Sequence, residues 1–356
     1  MITVLQVPET CDWNPYIHAA EQALRSLQVT VLRPGTCMDV RDHPAPAGPP
    51  KAVGEIPTIV HLHWPEKLAK QVGAATATRL LADLVARGST VVQTVHNVRP
   101  HEPSPDLARF LDFVDGITDG IHTFSRDHEA AARRVRPGLP QRVLHLPHPR
   151  FPVRSTARPD PPPGSVGCFG RLRGYKGIAR FADAYLGIAG RRARLVVAGH
   201  PDDLATHRQL TDLAAANPGL VYRPGFVPCD DEFWALLASV EWVALPYQRL
   251  YSSGVLVAAL QLGKRILSPA PTGGRGLYGA GFNRRRWLTV DPWHDKQAVE
   301  AVLAAAPATG DIELAVPTWE DAASALVAFY TDLIDNRIAP TTETRQHPPR
   351  EGSDSP

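Results

Sequence analysis

Short apolar runs alternate with helix-length amphipathic stretches along most of the chain, and one proline-dense break divides that alternation into two series. Such a pattern builds parallel sheets with helices packed on both faces. In the first series, strands are predicted at Ile2–Val7, Gln28–Leu32, Thr58–Leu62, Thr90–Val95, Gly120–Phe124 and Arg142–Leu146. Helices are predicted over Tyr16–Leu27, 66–87 and 125–135, with Ser125 as the N-cap of the last. Residues 34–56 are rich in Pro and Gly and read as a loop. Pro159, Pro161, Pro162 and Pro163 can continue neither a helix nor a central strand. The pattern then restarts. Strands are predicted at Val166–Phe169, Arg194–Ala198, Leu220–Tyr222, Trp242–Leu245 and Arg265–Leu267, and helices over 177–189, 203–216, 230–239, 254–262 and Trp319–Ile334.

A chain of 356 residues is long enough for two cores of this kind. The expected division is 1–153 for the first domain, 154–164 for the linker and 165–317 for the second. A polar, Pro-rich tail at 336–356 is expected to be disordered. The formal net charge of +2 argues against a general nucleic-acid binder. Cys11, Cys37, Cys168 and Cys229 are widely spaced and form no CxxC pair, which fits reduced thiols in a cytoplasm. The apolar N-terminus lacks a basic leader and reads as a strand. The expected location is cytoplasmic, with peripheral contact at the inner face of a membrane left open. Arg284-Arg285-Arg286-Trp287 would supply charge and an aromatic anchor for that contact, or form a solvated turn.

The most informative segment is Gly167-Cys168-Phe169-Gly170-Arg171-Leu172-Arg173-Gly174-Tyr175-Lys176-Gly177. A strand ends, a glycine-rich loop carries Arg171 and Lys176, and a helix begins. Glycines admit a ligand close to the backbone, and a helix N-terminus presents unpaired N–H groups to an anion. A guanidinium grips phosphate oxygens as a fork, and an ammonium adds a compact charge. The segment therefore suits a diphosphate; a solvated basic loop is the alternative.

The pattern FGRL…YKG resembles the opening of the donor-binding domain of GT-B glycosyltransferases, especially the large family 4 group. The likeness continues through Leu195–Gly199, Tyr222–Pro228 and Glu241–Tyr247, in matching order and spacing over 165–268. Asn14-Pro15-Tyr16, His61-Leu62-His63-Trp64 and Thr94-Val95-His96-Asn97 extend it weakly to the first half, which is similar to bacterial exopolysaccharide mannosyltransferases. The resemblance implies a GT-B fold: two Rossmann-like doubly wound domains facing a cleft, with a C-terminal helix, 318–335, crossing back to the first. It implies sugar transfer from a nucleotide diphosphate sugar, GDP-mannose or a UDP-sugar, to an acceptor hydroxyl of a glycan, glycolipid or small molecule. Gly170, Arg171 and Lys176 would hold the phosphates, and Gly225, Phe226 and Val227 would lie beside the nucleobase. Family 4 enzymes usually carry two Glu eight positions apart after the Leu-Pro strand; Leu250 and Ala258 stand there in this chain. Ser252, Ser253 and Gly254 open the following helix instead and are expected to line the donor pocket, with simple helix capping as the alternative. The anomeric outcome and the oligomeric state stay open.

Histidines form the second constellation. His61 and His63 share one face of a predicted strand, His96 ends the next strand, and His148 follows the last of that half. Ligands of open parallel sheets bind beyond the carboxyl ends of strands. His96 is the expected general base, with His63 in support and Glu102 returning to orient the ring. Structural histidines and a His-x-His zinc site are the alternatives; no metal and no cofactor beyond the sugar donor is expected. Trp13 and Tyr16 could stack on an acceptor sugar or belong to the core. A sugar-nucleotide epimerase of the same fold and an inactive sugar-nucleotide-binding protein are the competing functions.

Overall fold

The computed structural model describes residues 2–8, 15–32, 56–99, 104–152, 160–190, 194–225, 231–247, 253–269, 287–289 and 316–338, with Glu300 and Ala304. The first half holds a sheet of β1 (Thr3–Val7), β2 (Thr30–Leu32), β3 (Ile59–Leu62), β4 (Thr90–Thr94), β5 (Gly120–Thr123) and β6 (Val143–His145), in the order β2-β1-β3-β4-β5-β6. Every paired neighbour runs parallel. The four central strands are buried along their length, as they must be when helices cover both faces. Those helices are α1 (Pro15–Ser26), α2 (Pro65–Val72), α3 (Ala74–Ala86), α4 (Pro105–Ile117) and α5 (Arg126–Val135).

The second half repeats the design with β7 (Val166–Phe169), β8 (Leu195–Gly199), β9 (Leu220–Pro224), β10 (Trp242–Ala244), β11 (Arg265–Ser268) and β12 (Trp287–Thr289). The order is β12-β11-β10-β7-β8-β9, again with parallel neighbours. Helices α6 (Ile178–Ala189), α7 (Leu204–Ala216), α8 (Asp231–Ala238) and α9 (Gly254–Gln261) alternate with these strands. The strand order reverses between β1 and β3 in one sheet and between β7 and β10 in the other. Each reversal opens a crevice beyond the strand ends, where ligands of such sheets bind.

The last helix, α10 (Trp319–Ile338), returns to the first half. It packs along α1, puts Phe329 and Leu333 over Gly120, and bonds Arg337 to the Ser89 carbonyl at 2.6 Å. Gly120 is buried beneath those two side chains, so any larger residue there would push the helix away.

Four elements differ from the sequence expectation. The single helix over 66–87 is two, divided at Gly73, whose φ of +83° ends one and starts the other. The helix Pro105–Ile117 was not anticipated, although Ser104 caps it by accepting from Leu107 N at 3.2 Å and Pro105 occupies its first turn. Trp287 lies in a strand, β12, where a surface turn was the alternative considered. α10 continues beyond Ile334 to Ile338, which takes Asn336, Arg337 and Ile338 out of the expected tail. Residues 154–159 of the expected linker, Arg284–Arg286, Trp13 and the tail from residue 339 lie outside the described residues.

Candidate functional site

The loop after β7 is stitched to the loop after β8. Gly170 N donates to Ala198 O at 3.1 Å, Leu172 N to His200 O at 2.8 Å, and Asp202 N to Leu172 O at 3.3 Å. Gly199 makes this possible, because a Cβ there would sit 1.7 Å from the Gly170 carbonyl oxygen. Gly225 joins the same seam by donating to Gly199 O at 3.1 Å.

Three cations stand on this seam. Arg171 meets Asp202 through Nη2 to Oδ1 at 2.6 Å and Nε to Oδ1 at 2.9 Å, while Arg173 Nε reaches Asp202 Oδ2 at 2.6 Å. Lys176 is half-buried with Nζ 4.6 Å above the Tyr247 ring. Burial disfavours its ammonium and the Arg173 charge adds to that, bringing its pKa down to about 8. Lys176 thus stands between the strand ends of β7 and β10, at the reversal of the sheet.

Helix α9 begins beside this loop, with Val255 Cγ2 3.3 Å from where a Cβ on Gly170 would lie. Ser253 is its N-cap and accepts from Leu256 N at 3.3 Å. Capping uses the Ser253 hydroxyl as an acceptor and leaves its proton, so that O–H and the free N–H groups of the first turn are what the helix offers an anion.

The first half faces α9 through His148 and Phe151. A Cβ on Gly254 would lie 3.7 Å from His148 Nε2 and 3.1 Å from Phe151 Cζ. Phe151 is tied to α9 twice, N to Gln261 Oε1 and O from Gln261 Nε2, each 2.8 Å. His148 Nδ1 bonds the Pro149 carbonyl at 2.8 Å, which fixes the proton on Nδ1 and leaves a lone pair on Nε2 toward α9. Burial brings the His148 pKa down to about 4. Sequence reasoning put this histidine among those expected at the cleft but gave it no role; the contact with Gly254 is tertiary and leaves no trace in local spacing.

Around His148 lies an aromatic cluster centred on Tyr16. The Tyr16 ring contacts His96, His148, Trp319 and His63 at centroid distances of 4.9, 5.1, 5.1 and 5.7 Å. Tyr16 is 5% exposed and belongs to the core, one of the two roles considered for it. His96 is half-buried, stacks on Trp64 at 4.0 Å, and shares a hydrogen bond of 3.3 Å between its Nε2 and His63 Nδ1. His63 Nε2 is buried without a hydrogen-bond partner among the described residues. A small pocket opens beside this pair, lined by Trp64, Glu66, Gln93, Asn97, Leu111 and Arg136 among others. Asn97 donates to Glu66 there at 3.3 Å.

His61 has a different role. It accepts from or donates to Tyr330 and Thr94 in a continuous buried chain: Tyr330 Oη–His61 Nδ1 2.6 Å, His61 Nε2–Thr94 Oγ1 2.7 Å, Thr94 Oγ1–His122 Nδ1 3.0 Å, His122 Nε2–Leu146 O 2.9 Å. The carbonyl end fixes every proton. His122 Nε2–H donates to Leu146, so Thr94 donates to His122, His61 to Thr94, and Tyr330 to His61. Both rings must be neutral for this. Burial, aided by the neighbouring histidines, holds His61 well below its usual pKa, and burial brings His122 to about 4.

No protein-family model matches the chain. It is 29% identical over 219 residues to GDP-mannose:glycolipid 4-beta-D-mannosyltransferase of Xanthomonas campestris pv. campestris, covering 59% of this chain and 61% of that enzyme. The chain therefore matches somewhat under two thirds of that relative's length. Solved structures align along almost the whole chain. A glycosyltransferase involved in avilamycin A biosynthesis gives a TM-score of 0.56 at 18% identity, covering 94% of this chain and 98% of that one. HepE of Anabaena, solved with UDP and glucose, gives 0.56 at 14%, covering 95% and 99%. Sucrose-phosphate synthase from Thermosynechococcus elongatus gives 0.58 at 14%, covering 95% and 97%.

The fold is GT-B.

In this GT-B chain the expected site residues divide as follows. Gly170, Arg171, Lys176, Gly225, Ser253 and Gly254 lie on or beside the loops at one sheet reversal. His63 and His96 lie at the strand ends of the first sheet, in direct contact. Glu102, Phe226, Val227 and Ser252 lie outside the described residues, as do His101 and Cys11, Cys37 and Cys229; Cys168 is buried in β7. Among the described residues, the His96 ring is hydrogen-bonded to His63. Sequence reasoning missed Asp202, because a carboxylate after the next strand gives no local sign that it will meet two arginines. Among the described residues, no three His, Cys, Asp or Glu side chains are placed to share a metal ion, and no helix is long and apolar enough to cross a membrane.

Proposed function

We propose that the protein transfers a sugar from a nucleotide diphosphate sugar to an acceptor hydroxyl. The observation that carries this is the meeting of two half-sites: the cationic loop 170–177 with the first turn of α9 on one side, and His148 with the His63–His96 pair on the other. The diphosphate sits on Arg171, Lys176 and the free N–H groups of α9. Growing negative charge on the leaving diphosphate is stabilised by these fixed donors, and no step needs a metal for that charge. GDP-mannose is the leading donor and a glycolipid or lipid-linked glycan the leading acceptor, supported by the mannosyltransferase relative.

His96 is the proposed base. For it to act, Nδ1 must be unprotonated, so Nε2–H donates to His63 Nδ1 and His63 carries its own proton on Nε2. His63 thereby orients the base. Its buried Nε2–H then needs an acceptor, which an incoming hydroxyl or water can supply.

The test is a thermal-shift panel of GDP-, UDP- and dTDP-sugars followed by transfer assays read by mass spectrometry. A donor that binds the native state raises the melting temperature by mass action. Product on a glycolipid acceptor is the expected result. Conversion of the sugar without acceptor would show an epimerase, and binding without any turnover an inactive sugar-nucleotide-binding protein.

A further inference from the structure

We propose that His148 is the first half's contact with the donor sugar: its Nε2 accepts a hydrogen bond from a hydroxyl of the hexose on the bound nucleotide diphosphate sugar, beside the first turn of α9. The inference rests on the reading of loop 170–177 and α9 as the diphosphate site, and it names the part of the donor that the other half holds.

The ring is held in one place. His148 stands between Pro147 and Pro149, so two locked φ angles flank it and the position before Pro149 favours extended backbone. The segment is bonded at both ends. Leu146 N donates to Thr123 O at 3.0 Å, Arg150 N to Pro317 O at 2.9 Å, and Phe151 N to Gln261 Oε1 at 2.8 Å. Other rings surround it, with Tyr16 and Phe151 at centroid distances of 5.1 Å and Phe124 and Trp319 at 6.2 Å. A ring fixed in this way has little freedom left to lose when it meets a ligand.

Its chemistry is equally restricted. Nδ1 lies 2.8 Å from the Pro149 carbonyl oxygen, which can only accept, so the proton is on Nδ1 and Nε2 is an acceptor. Burial brings the pKa down to about 4, so Nε2 keeps its lone pair at neutral pH. Among the described residues none donates to it. Nε2 is 3.7 Å from where a Cβ on Gly254 would lie, which puts it against the first residue of α9. A lone pair repels phosphate oxygens and attracts an O–H. In a nucleotide diphosphate sugar the hexose is bonded to the terminal phosphate and the ribose lies at the other end of the diphosphate. With the diphosphate on the first turn of α9, the hexose is therefore the part that brings hydroxyls to an acceptor reaching in from the first half.

The experiment measures binding of GDP, GDP-mannose, UDP and UDP-glucose to the full chain by calorimetry, for wild type, His148→Phe and His148→Gln. Phenylalanine keeps a ring among the aromatic neighbours and removes the acceptor; glutamine keeps an acceptor oxygen at a similar reach. For the base that wild type binds, His148→Phe should weaken the nucleotide sugar by roughly 3- to 10-fold, the scale of one neutral hydrogen bond, and change the nucleoside diphosphate by less than about 2-fold. His148→Gln should recover most of the loss. Monodeoxy versions of the hexose then identify the hydroxyl: wild type should bind one of them more weakly than the parent sugar, and His148→Phe should not tell that one from the parent. Equal loss for diphosphate and nucleotide sugar overturns the proposal, because the lone pair would then serve the helix or the ribose. Unchanged binding of both also overturns it, and lost turnover alongside would assign His148 to the acceptor hydroxyl. If wild type binds none of the four, the donor-site reading falls first and takes this inference with it.

Discussion

The Tyr330 hydroxyl lies 2.6 Å from His61 Nδ1, joining the last helix of the chain to the third strand of its first sheet. Between Tyr330 and the Leu146 carbonyl, His61, Thr94 and His122 each have one donor role and one acceptor role. Tyr330→Phe removes the first donor and leaves the His61 lone pair buried without one. The expected cost is about 1–3 kcal/mol of stability. A melting or denaturant curve checks it, and an unchanged midpoint would contradict the assigned proton directions.

Acid should destabilise the fold above the range in which carboxylates titrate. Burial keeps His61 well below 6.5 and holds His122 and His148 near 4 in the folded state. An unfolded histidine titrates near 6.5, so between these values the unfolded chain binds more protons and stability falls as pH drops. Each such group contributes a slope of up to about 1.4 kcal/mol per pH unit. Denaturant midpoints measured from about pH 7 down to about pH 5 should decline steeply across that window. A flat profile would mean that these rings are protonated in the native state.

Arg171→Ala and Lys176→Ala should each weaken donor binding or turnover by roughly 10- to 100-fold. Lys176 adds a pH signature. Its pKa near 8 means that the ammonium is lost as pH rises through that value, so donor affinity in the wild type should fall above it. In Lys176→Ala that decline should vanish. Titration calorimetry at several pH values, with whichever nucleotide sugar binds, decides the matter. Normal kinetics in both variants would remove the site.

His96→Ala should lose at least about 100-fold in turnover while keeping donor affinity, as expected when a general base is removed. His63→Ala should also lower turnover, by less, because His63 acts through His96. Substitution of His148, whose Nε2 faces the donor helix, should raise the donor KM instead. Steady-state kinetics on the three variants separates these roles. A His148 variant with intact KM and lost turnover would move the base to that residue.

Much of the fold was legible because its signals are local. The run Leu195–Val197 is apolar on both faces and Thr90–Val95 is β-branched at every position but Gln93, which marks parallel strands. Local signals also explain the errors. One glycine at 73 divides a helix whose apolar periodicity continues on either side, and Ser104-Pro105 carried a helix start that was overlooked. The loop proposed for the donor stood out because glycines, cations and a strand-to-helix junction coincide within eleven residues, Gly167–Gly177. The histidines were legible as a group, and their division was not. His61 differs from His63 only in what lies above it, and Tyr330 is 269 residues away. Ser253 carried two compatible meanings, and the capping one is the one that local spacing specifies.

The backbone passes between the two halves at Arg150–Phe151 and again at Val316–Thr318, and Arg150 N donates to Pro317 O at 2.9 Å. Two backbone segments bonded to each other restrain the halves more than a single tether would. Phe151, next along the chain, carries that restraint to α9 through its two bonds to Gln261.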